Sequence, residues 1–441
     1  MASNIVLENL TLNANTTASL YLDADLARGR MDTLNVDTSS DPTKTATVGA
    51  GAKLNIAGID VISDAENEST TINFTQDAGL QPIIAYTGEQ DIKAMSPIYT
   101  YNIDYNVATG DFIFTRKGYN PTIYTGSVAS QVGSYFSQVN SYNTVLSHMS
   151  NLATNYIGKN LSNSAEKGMS AGDTVNRALD RDYSQNKAST WVKPYTSIED
   201  ITLSDGLVVD NTTYGAMFGI DSAIHNMGNG FIMQYSFYGA FNGSEQEYAN
   251  VDVNQNGGQV GASLFLMNNN FWTGLTANIG LNFAEADTMY GTEYFDSLVA
   301  GIASKTGYNF NFEDAGIIIQ PSLLLSYSYV KTFDYKNAAG VEITSTPLHV
   351  LQISPELKII KEFENNLQAY VKVEGNWFST SGGEFTANDV SLPMATVESY
   401  WQYGLGFEKD FGEDISLFGE ANIMTGSREG FSAQVGLKWE F

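Results

Sequence analysis

Few side chains in this sequence of 441 residues could do chemistry. It contains no cysteine and only three histidines, His148, His225 and His349. The lack of cysteine excludes disulfides, thiolate metal sites and cysteine nucleophiles, and it suits a chain that crosses an oxidising compartment. Because no histidine precedes residue 148, the first third of the sequence offers neither a Ser-His-Asp triad nor a histidine-based metal site.

Other chemical sites are equally unsupported by the sequence. Acidic residues between Asp200 and Asp210 could ligate calcium, but they lack the regular oxygen spacing of a dedicated loop, which favours a solvated extracellular loop. No phosphate-binding loop is present. The 22 Lys and Arg against 49 Asp and Glu give a charge of -27, which opposes binding to nucleic-acid phosphates. We therefore predict no metal, no cofactor and no nucleic-acid partner.

The first 120 residues predict short β-strands. Apolar residues alternate in brief bursts, such as Leu20, Leu22 and Leu26, with polar turns between them, and helical periodicity is absent. This pattern favours the end of a β-solenoid. A terminal hairpin, 99–105 with 111–115, would cover the open edge of the stack.

Residues 121–188 predict an α-helical linker. Apolar residues spaced by threes and fours place one apolar face along a helix, typical of core packing: Val128, Val132, Tyr135, Phe136, Val139, Tyr142, Leu146, Met149, Leu152, Tyr156 and Ile157. Residues 162–188 are polar and could include a short helix from Thr174 to Tyr183. No window approaches 18 continuous apolar residues, which excludes a membrane-spanning helix.

Residues 189–441 predict twelve antiparallel strands in a transmembrane β-barrel. The candidate strands begin near Trp191, Thr213, Phe231, Val253, Phe271, Glu293, Gly316, Pro347, Leu367, Val397, Ile415 and Phe431. Apolar and polar side chains alternate along them, and short connections mostly alternate with long ones, as in outer-membrane barrels. Aromatic residues near strand ends suit interfacial girdles: Trp191, Tyr195, Trp272, Trp377, Trp401 and Trp439. A soluble β-sandwich or barrel with the same alternation is the alternative.

Several segments in this order resemble the translocator domain of monomeric autotransporters, the type V secretion family. They are Trp191-Val192-Lys193-Pro194-Tyr195, Tyr214-Gly215-Ala216-Met217-Phe218-Gly219-Ile220-Asp221, Gly257-Gly258-Gln259-Val260-Gly261, Ile415-Ser416-Leu417-Phe418-Gly419-Glu420-Ala421 and Gly436-Leu437-Lys438-Trp439-Glu440-Phe441. The segments Leu22-Asp23-Ala24-Asp25-Leu26 and Met31-Asp32-Thr33-Leu34 resemble the solenoid of an autotransporter passenger. The resemblance implies an outer-membrane barrel, an extracellular β-helical passenger and a helix in the lumen.

Either 127–160 or 166–186 could supply that lumen helix. The family also implies a signal peptide and a longer passenger, so we expect this chain to be the carboxyl-terminal part of a longer protein. Some relatives cleave themselves at paired asparagines in the lumen helix with the help of barrel carboxylates. The corresponding residues would be Asn140 and Asn143, with Glu374 and Glu420 chosen by strand parity. Since Ser141 and Tyr142 separate the asparagines, we predict no enzymatic activity, and autoproteolytic release of the passenger is the less favoured alternative.

The last strand carries a predicted assembly signal, because its outward residues resemble the sequence read by the outer-membrane assembly machinery: Phe431, Val435, Leu437, Trp439 and Phe441. The predicted function is an autotransporter translocator that anchors in the bacterial outer membrane and supports export and surface display of its own passenger. Its expected partners are outer-membrane lipid, the assembly machinery and that passenger, and it is expected to be a monomer. The alternatives are an outer-membrane pore and a secreted, soluble β-rich adhesin.

Overall fold

The computed structural model describes residues 3–86, 96–123, 125–165, 187–204, 208–248, 251–363, 366–392, 396–412 and 414–441. The chain forms two compact units, Met1–Ile123 and Tyr124–Phe441. No helix in these described ranges is long and apolar enough to cross a membrane.

The N-terminal unit consists of short strands around an apolar core. Its strands are β1 (Asn4–Leu7), β2 (Thr11–Leu12), β3 (Thr17–Asp25), β4 (Arg30–Met31), β5 (Thr33–Val36), β6 (Thr47–Val48), β7 (Lys53–Ser63), β8 (Ser69–Asn73), β9 (Ile84–Tyr86), β10 (Tyr99–Asn106) and β11 (Asp111–Tyr119). Four strand pairs are parallel, namely β1 with β5, β2 with β6, β3 with β7, and β7 with β9. The hairpin β10–β11 instead pairs antiparallel with β8.

Alternation along these strands places most of their apolar side chains in a common core, because successive strand residues point to opposite faces. Leu54, Ile56 and Phe74 are almost fully buried there, as are Phe112 and Phe114 of the hairpin. Short 3-10 helices lie at Leu26–Arg28, Gln81–Ile83 and Pro121–Ile123.

The second unit contains the helix α1 (Thr125–Ala165) followed by a large sheet. Its strands are β12 (Ser189–Thr202), β13 (Val208–Asp221), β14 (His225–Gly228), β15 (Phe231–Tyr248), β16 (Val251–Asn268), β17 (Phe271–Thr288), β18 (Gly291–Tyr308), β19 (Phe310–Phe312), β20 (Ile317–Thr332), β21 (Tyr335–Lys336), β22 (Glu342–Ser345), β23 (Leu348–Phe363), β24 (Leu367–Gly382), β25 (Phe385–Ala387), β26 (Val390–Ser391), β27 (Tyr400–Phe411), β28 (Ile415–Gly426) and β29 (Arg428–Glu440). A further 3-10 helix spans Glu313–Ala315.

Twelve of these strands close into one antiparallel barrel, in the order β12, β13, β15, β16, β17, β18, β20, β23, β24, β27, β28 and β29. The last strand, β29, pairs with the first, β12, which leaves no open edge in the ring. The prediction of an all-β chain with a helical linker and a twelve-stranded barrel is therefore confirmed. The alternative of a two-layer sandwich is wrong, since a single sheet closes on itself.

Three connections differ from the sequence-based expectation. The first hairpin is longer, because β12 continues to Thr202 and Asp200 pairs with Asp210 across the ladder. The acidic stretch therefore lies largely in strands instead of a loop. The two longest connections also contain strands, and β21, β22, β25 and β26 form a separate four-stranded sheet.

The barrel is apolar outside and polar inside. Large apolar residues are exposed on its outer surface, including Phe218, Ile220, Phe237, Val260, Phe283, Ile302, Leu325, Val371, Leu405 and Ile423. Inward positions of the same strands carry buried amides and hydroxyls, such as Gln234, Ser236, Gln259 and Asn278. A lipid-facing exterior around a polar interior is the arrangement of a membrane β-barrel.

Half of the predicted aromatic girdle is not on the lipid face. Trp377, Trp401 and Trp439 are exposed on the outside, as expected. Trp191, Tyr195 and Trp272 are instead buried inside the barrel. Strand parity explains the error, because proximity to a strand end does not determine whether a side chain points outward or inward.

Candidate functional site

The helix α1 fills the barrel interior. Every described side chain from residue 126 to residue 155 is buried or partly buried, including the polar ones. The helix forms hydrogen bonds with strands all around the ring, among them β13, β16, β20, β23 and β29. From the sequence, one apolar face of this helix was predicted to pack in a core. The polar faces are buried as well, because the barrel wall surrounds the helix. The other candidate segment, residues 166–186, lies outside the described residues, as does the short helix predicted from Thr174 to Tyr183.

The direction of the helix follows from its contacts at each end. Ser127 hydrogen-bonds to the hydroxyl of Tyr335, which belongs to the small sheet formed by the long connections. Further along the helix, the hydroxyl of Thr154 accepts a bond of 3.3 Å from Gln320, near the short connection between β18 and β20. The helix thus begins at the long-connection end of the barrel and runs towards the short-turn end.

Six consecutive strands form the surface against which the helix backbone packs most closely. We call these strands, β13, β15, β16, β17, β18 and β20, the helix seat. Short neutral side chains predominate in the contacts. Ser134 accepts a bond of 2.6 Å from Gln255, and Gln138 donates one of 2.6 Å to Asn278. Ser150 donates a bond of 2.6 Å to Gln320.

The other six strands, β12, β23, β24, β27, β28 and β29, form what we call the charged wall. Their buried ionic side chains are Lys193, Glu199, Glu356, Lys358, Lys372, Glu374, Glu408, Glu420 and Arg428. On the helix seat the corresponding residues are Asp221, Glu293 and Lys305. The lumen is therefore divided into a largely neutral half and a densely charged half.

Ion pairs connect the charged wall internally. Lys372 lies 2.8 Å from Glu420 and 3.8 Å from both Glu356 and Glu374. Glu356 also lies 2.9 Å from Lys305 of the helix seat. Buried charges persist only when they are paired and hydrogen-bonded, so this network neutralises the wall without requiring a bound ion.

A second charged pair closes the seam between the first and last strands. The guanidinium of Arg428 in β29 makes a bidentate contact with Glu199 in β12, and one of its bonds is 2.8 Å long. The same guanidinium donates to the Tyr400 hydroxyl at 3.1 Å and lies 4.3 Å from the ring centre of Phe136 in the helix. Arg428 thus connects the seam to the helix.

Asp221 anchors the C-terminal half of helix α1. Its carboxylate lies 2.9 Å from Nε2 of His148 in the helix, and it accepts bonds from Trp191 at 3.0 Å, Ser189 at 2.8 Å and Ser236 at 2.6 Å. Sequence analysis assigned no role to this residue. Its inward parity next to Trp191 was available, but the link to His148 depends on where the helix lies.

The structure brings three of the four cleavage candidates to one cavity. Asn140, Asn143 and Glu420 line a space of about 40 Å³ between the helix and the charged wall. Glu420 is held by Lys372, by the Tyr370 hydroxyl at 2.6 Å and by Asn422 at 3.1 Å. Glu374 is 3.8 Å from Lys372 and does not line this cavity. Within the described residues, no cluster of His, Cys, Asp and Glu could hold a metal ion.

The predicted assembly-signal residues share one face of the last strand. Phe431, Val435, Leu437 and Trp439 are all exposed on the outer surface, and Phe441, just beyond the end of β29, is exposed as well. They form a lipid-facing apolar stripe. Whether the assembly machinery reads this stripe stays a prediction.

Comparison with known proteins identifies the family. The family model described as the autotransporter beta-domain matches residues 190–422, just over half of the chain. The chain belongs to the autotransporter β-domain family. The family resemblance inferred from the sequence is therefore confirmed, and the members of this family are translocator barrels of the bacterial outer membrane. No curated protein matches the chain.

Solved autotransporter structures are similar to this chain at low sequence identity. The β-domain of the Bordetella autotransporter BrkA has 13% identity, covers 58% of this chain and 100% of its own, and gives a TM-score of 0.49. The transport unit of AIDA-I from Escherichia coli has 13% identity, with coverage of 58% and 90% and a TM-score of 0.47. The translocator domain of NalP from Neisseria meningitidis has 12% identity, with coverage of 61% and 93% and a TM-score of 0.46.

Proposed function

We propose that this chain anchors in the bacterial outer membrane through its barrel and exports its own N-terminal residues, about 1–120, to the cell surface. The observation that carries the proposal is a closed barrel with a lipid-facing exterior, whose lumen contains the helix that lies between the N-terminal unit and the first strand. Such an arrangement leaves the chain threaded through its own barrel.

The course of the helix supports an extracellular passenger. Its first turns lie beside the sheet formed by the long connections, and in outer-membrane barrels the long connections face outward. The residues that precede the helix would therefore emerge outside the cell. The parallel ladders of β3, β7 and β9 support the interpretation of these residues as the end of a solenoid, with the β10–β11 hairpin as its cap.

Surface display tests this function directly. The chain would be expressed behind a secretion signal with an epitope at the exposed residue Asp41, and intact cells would be probed with antibody and protease. We expect the epitope to be accessible on intact cells and lost after protease treatment. The matched control ends before β28, so that the barrel cannot close and the epitope should not reach the surface. An inaccessible epitope on a correctly assembled barrel would contradict the proposal.

The pore alternative makes a different prediction about conductance. Since helix α1 occupies the lumen, the intact chain in planar bilayers should conduct little, whereas a variant without residues 125–165 should conduct freely. Free conductance of the intact chain would favour a channel.

That the chain does not release its passenger by self-cleavage stays a separate prediction, which the cavity makes testable. The four candidates are Asn140, Asn143, Glu374 and Glu420, and the carboxylate of Glu420 already has three partners. We expect the chain to remain at its full mass of 48.0 kDa after assembly. A shorter product that disappears in Asn140→Asp or Asn143→Asp would instead show cleavage.

A further inference from the structure

The helix lies off-centre in the barrel, and glycines permit its close approach to the helix seat. A Cβ atom added at Gly274 would lie 2.6 Å from the sulfur of Met149, and one at Gly301 would lie 1.8 Å from the hydroxyl of Tyr142. On the helix itself, a Cβ at Gly133 would lie 2.0 Å from the amide nitrogen of Gln246. Backbone and helix side chains are thus in direct contact on this side.

The charged wall contacts the helix through long side chains, both aromatic and ionic, and the ring centre of Trp191 lies 5.2 Å from that of His148. Lys358 extends to Asn151 at 2.7 Å, and Lys193 extends to the carbonyl of Thr144 at 3.1 Å. The lumen-facing glycines of this wall are covered by its own side chains, with Lys372 over Gly404 and Tyr370 over Gly406. Long side chains of the charged wall therefore fill the space on this side of the lumen, whereas the helix itself fills it on the side of the helix seat.

Polar space remains at the centre of this wall. The cavity of about 40 Å³ beside Asn140 is large enough for a few water molecules. Two buried groups that line it, the hydroxyl of Tyr195 and the side-chain carbonyl of Asn422, have no hydrogen-bond partner among the residues that the structure describes. Groups of this kind can exchange water for the amides of a passing peptide.

We propose that the space between helix α1 and the charged wall is the path of the exported polypeptide. An extended segment of this chain's own N-terminal residues moves along it, while the helix stays on its seat. This inference rests on the proposed function and assigns a location within the lumen to the exported segment.

The chemistry of the two halves favours this side. Opening the helix seat would remove apolar contacts of Leu146 and Met149 with Gly274, and these cannot be replaced by a polar peptide. Displacing Lys358 and Lys193 breaks their hydrogen bonds to Asn151 and to the carbonyl of Thr144, and a peptide backbone offers equivalent acceptors to both ammonium groups. The exported residues also suit lysines, since residues 1–123 contain 15 acidic and 7 basic side chains.

Disulfide trapping in the full chain tests the path, and the absence of native cysteine makes it specific. A small, stably folded domain without cysteine, fused before Ser3, would be too bulky to enter the lumen and would halt export at its last step. An extended chain rises about 3.3 Å per residue through a hydrocarbon core of about 30 Å, so residue 8 would stop near mid-depth. A single cysteine, Glu8→Cys, therefore marks the arrested segment.

Matched cysteines on the two halves report its position. Asn422→Cys on the charged wall is paired with Asn278→Cys on the helix seat, and Gln402→Cys is paired with Gln259→Cys. Asn422 and Gln402 line the cavity beside Asn140, whereas Asn278 and Gln259 contact helix residues 137 and 138 at a similar depth. Heat-modifiable gel mobility shows which variants assemble into a barrel. If either variant of the first pair does not assemble, the second pair is used for the comparison.

We expect disulfides from Asn422→Cys and Gln402→Cys to Glu8→Cys to exceed those from the seat cysteines several-fold. Equal trapping on both halves, or more on the seat, would overturn the path. Absence of trapping on either half, in a chain whose unfused form is displayed, would also overturn it, because the polypeptide would then avoid this space. Failure of the unfused chain to display its N-terminal residues would instead refute the proposed function itself.

Discussion

Removing the cation that closes the barrel seam should destabilise the barrel far more than removing a more exposed cation at the other end of the same seam. The Arg428 and Glu199 side chains are 2% and 0% exposed. Breaking such a buried pair by removing one partner costs about 3–5 kcal/mol, because the remaining charge is left in a low-dielectric site. In Arg428→Met, Glu199 keeps two donors, Ser197 at 3.1 Å and Asn211 at 3.0 Å.

These remaining donors place the expected cost of Arg428→Met near the lower limit, about 3 kcal/mol, which is roughly a hundredfold in the unfolding equilibrium. The double variant Glu199→Gln with Arg428→Met removes the unpaired charge and should recover most of this loss. Lys187→Met is the control, since its pair with Asp414 is largely exposed and should contribute little.

The assay is urea-induced unfolding in detergent micelles, followed by the gel mobility that distinguishes a folded barrel from an unfolded chain. We expect a lower midpoint for Arg428→Met, a partly restored one for the double variant and an unchanged one for Lys187→Met. If Arg428→Met unfolded at the wild-type urea concentration, the pair would not stabilise the seam. If the double variant were as unstable as the single one, the loss would come from the contacts of Arg428 with Phe136 and Tyr400 instead of from the unpaired charge.

Three further predictions address the helix and the last strand. Gly301→Ala should destabilise the assembled barrel by about 1–3 kcal/mol, because its Cβ would overlap the Tyr142 hydroxyl, whereas Gly258→Ala should be neutral since the nearest atom lies 3.5 Å away; urea midpoints would show both effects. Asp221→Ala should expose the helix to protease in micelles, because each buried donor left unpaired costs about 1–3 kcal/mol, and wild-type resistance would contradict the anchoring role. Trp439→Ser should reduce the amount of heat-modifiable barrel in outer-membrane fractions relative to Lys438→Gln, and equal amounts would contradict the assembly-signal prediction.

Much of the architecture could be predicted because strand alternation is a local property. Inward Gln234 and Ser236 alternate with outward Tyr235 and Phe237 within a single stretch of sequence, so the period of two is visible without any knowledge of the fold. The starts of most strands followed from the same pattern and from the turn residues between them. Closure of the ring was then the only way for such strands to hydrogen-bond all of their backbone N–H and C=O groups within a membrane.

The functional arrangement of the lumen could be predicted only in part. Parity placed Glu374 and Glu420 inside the barrel, but it could not show that Lys372 lies between them. Nor could it find the anchor at Asp221, whose partner His148 is 73 residues away in the sequence. Trp191 and Trp272 were assigned to the membrane interface because they lie near strand ends, and that position does not determine which face of the strand a side chain occupies.

The sequence by itself determined the alternation, the strand number, the single long helix and the family, because each depends on residue order over short stretches. Only the tertiary structure decided which half of the lumen the helix occupies and which charges face one another. Those features depend on the stagger of twelve strands around the ring and on the height of the helix within it, and both are set by packing between residues that are hundreds of positions apart.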